Sequence, residues 1–140
     1  MADEIALDDV LGLHIRLAHG AVQRHFGDHF ADLGLTQKQV SVLWLASDSP
    51  GIAQADLAQR LQMDRATTMA IVHTLERRGL LARRRGDADA RRIALAPTES
   101  GALLLAEAKH AIASHEAWLT ARFTAKELAT LTGMLRRIYG

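Results

Sequence analysis

Along most of this chain apolar residues return every three or four positions, the period of a helix that buries one face. From residue 7 to 33 the stripe runs through Leu11, Ile15, Ala18, Val22, Phe26, His29 and Leu33, which predicts a long first helix ending near Gly34. Thr36-Gln-Lys-Gln39 has the form of a capping box, in which hydroxyl and amide side chains satisfy free backbone N–H groups. A second helix therefore starts there, with Val40, Leu43 and Trp44 inward. Ser49-Pro50-Gly51 interrupts the pattern, and a short third helix follows with Leu57, Ala58 and Leu61 on its buried side. Asp64 caps a fourth helix over residues 65–78, whose inner face is Thr68, Ile71, Val72 and Leu75. Gly79 suits the left-handed residue that ends such a helix.

Residues 80–84 and 91–95 then read as two strands of a hairpin. The six residues between them are too many for a tight two-residue turn, and Pro97 closes the hairpin. Thr98 caps a fifth helix over 99–121, with Leu103, Leu104, Ala108, Ala111, Ile112 and Trp118 apolar. Thr124 caps a last helix carrying Leu128, Leu131, Leu135 and Ile138 in register. The predicted fold is mainly α with a small β-hairpin.

Composition narrows the class without naming it. The 140 residues, 49% hydrophobic and 24% charged, suit a single globular domain over 1–140. The absence of cysteine removes disulfides and thiolate metal sites. The acidic start MADEIALDDV is not a secretory signal, and no run of 18 apolar residues occurs, so a cytoplasmic location is expected. Net charge is only +1, but its distribution is uneven. Residues 65–92 hold eight of the 17 Lys and Arg and only three acids, a net +5, which leaves the remainder at −4. Solvated surfaces usually intersperse the two signs.

Helix, short turn, helix and hairpin is the order of a winged helix-turn-helix, whose second helix enters the major groove of DNA. The outward face of the fourth helix offers Arg65, Ala66, Thr67, Met69, Ala70, His73 and Thr74, with no acid among them. Arg65 is placed to reach a guanine edge or a phosphate, and Thr67 and Met69 suit a thymine methyl. Arg77, Arg78, Arg83, Arg84 and Arg85 are expected on phosphates, which hold register without reading sequence. Arg91 is the arginine expected to enter a narrow A·T-rich minor groove, with Asp89 holding its guanidinium.

The run LGLTQKQVSVLWLASDSPGIAQADLAQRLQMDRATTMAIVHTLERRGLLARRRGDADARRIALAPTESG, roughly residues 33 to 101, resembles the core of the MarR (multiple antibiotic resistance regulator) family. LERRGLL at 75–81, Asp89-Ala90-Arg91 and Thr98-Glu-Ser-Gly101 carry the resemblance most specifically. It implies Arg91 as the wing residue and Asp89 as its support. It also implies a winged lobe at 35–98 with dimerisation helices at 1–34 and 99–140. The sequence departs from the family at Ala70 (often arginine), Pro97 (usually leucine) and Ala53 (often a capping Thr or Ser).

Geometry also asks for a dimer. One recognition helix reads a few base pairs, whereas a two-fold pair reads half-sites about 34 Å apart. The expected interface uses Ile5, Leu7, Val10, Trp118, Leu119, Phe123, Leu131, Leu135, Ile138 and Tyr139. The resemblance further implies a homodimeric repressor released by a small aromatic carboxylate or phenol. Its pocket would lie between the first, second and fifth helices and the DNA-binding lobe, with His14, Arg16, His19 and Trp44 as candidate contacts. Two alternatives stay open. One is a zinc-responsive regulator using the His25/His29 pair with Asp28 or Asp32; the other is a winged-helix protein-interaction module. No Gly-rich phosphate loop, GxSxG or HExxH occurs, so no enzyme and no cofactor are expected.

Overall fold

The computed structural model describes residues 4–85 and 93–140, Arg85 by its backbone only. In chain order the elements are α1 (Leu11–Phe30), α2 (Gln37–Asp48), β1 (Ile52–Ala53), α3 (Gln54–Arg60), α4 (Arg65–Arg77), β2 (Leu81–Arg85), β3 (Ile93–Pro97), α5 (Glu99–Thr120) and α6 (Ala125–Tyr139). They form two compact units, Met1–His29 with Ala111–Gly140, and Phe30–His110.

In the second unit, side-chain caps start the helices where the sequence predicts. The Thr36–Gln39 capping box opens α2, and Asp64 caps α4. Ala53 occupies the cap position of α3 and supplies no side-chain bond. Val42, Leu43, Leu57, Val72, Leu75 and Leu95 are fully buried and bring α2, α3 and α4 onto the sheet. Trp44, predicted inward, is only half-buried, with the Lys109 ammonium 4.8 Å from its ring centroid.

Three boundaries differ from the sequence pattern. The first helix is not continuous from 7 to 33: 3-10 turns at Leu7–Asp9 and Ala31–Leu33 flank α1, and Gly34 ends the segment at φ 62°. The wing is not a simple hairpin, because β1 pairs with β3 to give the antiparallel order β1-β3-β2. Two residues are too few to show a strand period, and only the register Ile52↔Leu95 and Ala53↔Ala94 makes them one. The second strand, predicted to stop at Leu95, runs on to Pro97, which closes the hairpin opposite Leu81.

The first unit has little interior. Among its described residues only Phe26 and His115 are buried. Leu11 and Ile15, predicted on the buried stripe of the first helix, are 66% and 39% exposed, and α6 buries no residue. Ile5, Leu7, Leu17, Phe123, Leu131, Met134, Leu135, Ile138 and Tyr139 are exposed as well.

The interior that does exist is aromatic and titratable. The Nδ1 atoms of His25 and His115 lie 2.7 Å apart, so one ring donates and the other accepts. His25 also stacks on Trp118 (centroids 3.9 Å, planes 7° apart), and Arg122 covers Trp118 at 4.3 Å. Phe26 meets His115 edge-on, and the His29 ring lies 5.5 Å from His25. Burial, then His25 and more weakly His29, hold the His115 pKa below its ordinary 6.5, against the opposing pull of Glu116.

The folded chain therefore binds fewer protons at His115 than the unfolded one. This contribution to stability is complete above pH 6.5 and is lost as pH falls through the depressed folded value. Thermal melting is expected to be level above that range and to decline below it. His115→Gln is expected to soften the decline; an equal decline in the variant would remove His115 as its source.

Candidate nucleic-acid interface

The α3–α4 turn sets the angle of α4. Gln62 takes φ 52°, a conformation uncommon for a residue with a side chain, and Met63 N–H then donates to the Ala58 carbonyl at 2.9 Å. At the start of α4 the Asp64 carboxylate accepts the Thr67 backbone N–H at 2.7 Å and the Thr67 hydroxyl at 2.9 Å. These bonds hold the Asp64 pKa below the ordinary 3.8, so the cap is fully formed above that value. With its hydroxyl spent on the cap, Thr67 keeps its methyl for any contact outside the helix.

The inner face of α4 buries Thr68, Val72 and Leu75, with Ile71 half-buried. Helical periodicity then turns Arg65, Ala66, Met69, Ala70, His73 and Arg77 to solvent, while Thr67 and Thr74 are half-buried. The Thr74 hydroxyl donates back to the Ala70 carbonyl at 3.0 Å. The exposed residues of this face carry no acid.

The predicted phosphate-binding arginines separate into different roles. Gly79, at φ 71°, ends α4 and lets the chain turn into β2. Arg78 donates to the Gly34 carbonyl at 2.7 Å and so ties the end of α4 to the turn before α2. Along β2, side chains alternate between faces. Leu81 and Arg83 face inward, and Ala82 and Arg84 are exposed. Arg83 Nε donates to Glu76 Oε1 at 2.6 Å, both side chains being mostly covered, and its Nη2 is buried without a partner among the described residues. Arg83 is thus a brace between α4 and β2. Arg77 and Arg84 remain exposed. Asp89 and Arg91 lie outside the described residues, as does the side chain of Arg85.

His14, Arg16 and His19 are exposed on α1, and His14 Nε2 donates to the Asp8 carbonyl. Trp44 belongs to the other unit. For the zinc alternative, no group of three or more His, Cys, Asp or Glu side chains converges among the described residues. His25 turns instead to His115 and Trp118. The sequence pattern did not single out His115. The available signal was its place on the stripe Ala108, Ile112, His115, Leu119.

A helix pair with a tight turn, leading into an antiparallel arm that carries arginine, is a winged helix-turn-helix, an architecture built to read duplex DNA. The profile of the MarR family matches residues 35–93. A protein of Thauera aromatica assigned as transcriptional regulator of the hcr operon is 32% identical over 130 residues, 92% of this chain and 78% of its own length. The transcriptional repressor CouR bound to a 23-mer DNA duplex has a TM-score of 0.90 at 33% identity, covering 99% of this chain and 100% of that one. CouR from Rhodococcus jostii RHA1 bound to p-coumaroyl-CoA has a TM-score of 0.87 at 26% identity, covering 96% and 95%. The chain belongs to the MarR family of transcriptional regulators and is not an enzyme. Among the described residues no helix is long and apolar enough to cross a membrane.

Proposed function

We propose that this chain is a homodimeric repressor that binds a pseudo-palindromic DNA operator and is released from it by an aromatic effector. The observation that carries the reading is the exposed, acid-free face of α4, with Arg77 and Arg84 beside it. Arg65, Ala66, Thr67, Met69, Ala70, His73 and Thr74 form the major-groove set, with Arg65 and Met69 foremost. Arg77, Arg84 and Arg85 take phosphates, whereas Arg78 and Arg83 chiefly position the elements that carry them. Asp89 and Arg91 take the minor groove. The small interior of the first unit supports the dimer, since a unit that buries two side chains needs a partner surface.

Support for the effector comes from CouR, a relative solved with p-coumaroyl-CoA, an aromatic acyl thioester. Such a ligand acts by favouring a spacing or tilt of the recognition helices that no longer fits the half-sites, and only to the extent that it binds that state more tightly. His14, Arg16, His19 and Trp44 are the residues to alter first. Stabilisation by a phenolic acid or by p-coumaroyl-CoA in thermal-shift assays, lost in His14→Ala, supports that contact set. No shift with either compound removes the effector part of the reading.

DNA binding itself is tested by salt titration on duplex carrying the region upstream of the gene. Contacts to six to ten phosphates across the dimer would weaken binding by about 10³–10⁵-fold between 50 and 200 mM salt. Arg84→Ala is expected to flatten that slope, and Arg91→Ala to lose affinity mainly at A·T-rich flanks. A protein-interaction module would show no duplex binding even at low salt.

A further inference from the structure

A shallow depression of about 220 Å³ lies between α3 and α4, lined by Gln54, Ala55, Arg65, Thr68 and Met69. Two of its residues, Arg65 and Met69, are on the reading face of α4; Gln54 and Ala55 come from α3 and were not among the residues the sequence singled out. Its exposed lining is apolar. Thr68 contributes no free hydroxyl, because that group donates to the Asp64 carbonyl at 2.9 Å. Gln54 and Arg65 also line it, without exposing polar surface into it.

Met69 also stands out by its exposure. It is 47% exposed, and among the described residues of the second unit only Ile93 and Leu103 are other large apolar side chains left so open. An apolar dish beside hydrogen-bonding groups offers nothing to a base edge made only of donors and acceptors. In the major groove, thymine alone of the four bases presents a methyl group, next to its O4 acceptor. Cytosine carries hydrogen at the same position and would leave the dish unfilled.

We infer that the α3–α4 dish is a thymine-methyl site, with Ala55 and Met69 enclosing the methyl above the buried Thr68 and Gln54 and Arg65 bonding around it. This rests on the DNA-binding reading above and adds a base identity and two α3 residues to it.

The test uses the full chain and a symmetric duplex selected by it from a randomised pool. Each thymine is replaced in turn by uracil, which deletes only the C5 methyl. One position per half-site is expected to lose about fourfold in affinity, the value of one buried methyl-sized group. Met69→Ala, which opens the dish, and Ala55→Leu, which fills it, are each expected to bind thymine and uracil duplexes equally there. Arg84→Ala is expected to weaken both duplexes and preserve the preference. If no uracil substitution changes affinity in the wild-type protein, the dish is not a methyl site although DNA binding stands. If the preference survives in both Met69→Ala and Ala55→Leu, the methyl is read elsewhere and the assignment fails. Absence of binding to any duplex at low salt overturns both readings. The uracil series leaves the protein unaltered, so it decides the matter even if a variant misfolds.

Discussion

Leu131→Glu combined with Leu135→Glu is expected to leave a folded chain that sediments as a monomer and binds operator DNA about 10²–10⁴-fold more weakly. The magnitude is that of losing a linked second binding event, because each half-site must then be occupied independently. Folding should survive, since α6 buries no residue and these two leucines are 39% and 40% exposed within the chain. The helix also keeps its own start, where Thr124 and Glu127 form a capping box. In a dimer the same positions would lose water, and two uncompensated carboxylates there would be costly. Lys126→Glu, on the opposite side of α6, is expected to change neither mass nor affinity. Sedimentation and gel-shift titration read both quantities; a double variant that stays dimeric would move the interface away from α6.

The largest expected effect on stability comes from Gly101→Ala. A Cβ at this position would sit 1.9 Å from the Leu80 carbonyl oxygen and 2.9 Å from its carbon, atoms of the backbone that no rotamer change can withdraw. The approach is forced by a clamp at the start of α5. Thr98 N–H donates to the Leu80 carbonyl at 3.1 Å, the Thr98 hydroxyl donates to the Gly79 carbonyl at 2.6 Å, and that hydroxyl accepts the Gly101 N–H at 3.0 Å. Opening the clamp disturbs the turn between α4 and β2 as well as α5. A loss on the order of 3 kcal/mol is expected, with a fall in melting temperature of about 10 °C. Gly27→Ala provides the contrast: its Cβ would meet nothing within 4 Å, and removing helix-interior glycine should add about 0.5–1 kcal/mol. Unchanged melting in Gly101→Ala would show that α5 can move away from Leu80 at little cost.

The features legible in the sequence are those whose bonds close within a few residues. Thr36, Asp64 and Thr124 cap helices because each side chain reaches an N–H three positions ahead. Gly34 and Gly79 end helical segments in the left-handed conformation that glycine adopts without strain. The inward set Thr68, Val72 and Leu75 also follows from period alone, and with it the residues of α4 that remain outside.

Period places residues on a common face without saying what covers that face. The stripe through Leu11 and Ile15 is real, yet only Phe26, further along it, is buried in the first unit, while Leu11 and Ile15 stay exposed. On α5 the pattern was read through Leu103, which is 66% exposed, while Leu105 is the leucine that packs inside. A helix rich in apolar residues offers more than one stripe, and only the neighbouring elements choose among them.

Taken alone, the sequence determined where the side-chain-capped helices begin, which face of α4 is free of acid, and that positive charge is concentrated beside it. Each depends on local hydrogen bonds, fixed helical geometry or simple counting. Tertiary structure decided the rest. It paired Arg83 with Glu76, joined His25 to a histidine 90 positions away, added β1 to the wing, and set Ala55 beside Met69. Those pairings are settled by which surfaces exclude water from one another when the elements pack, and spacing along the chain carries no record of that.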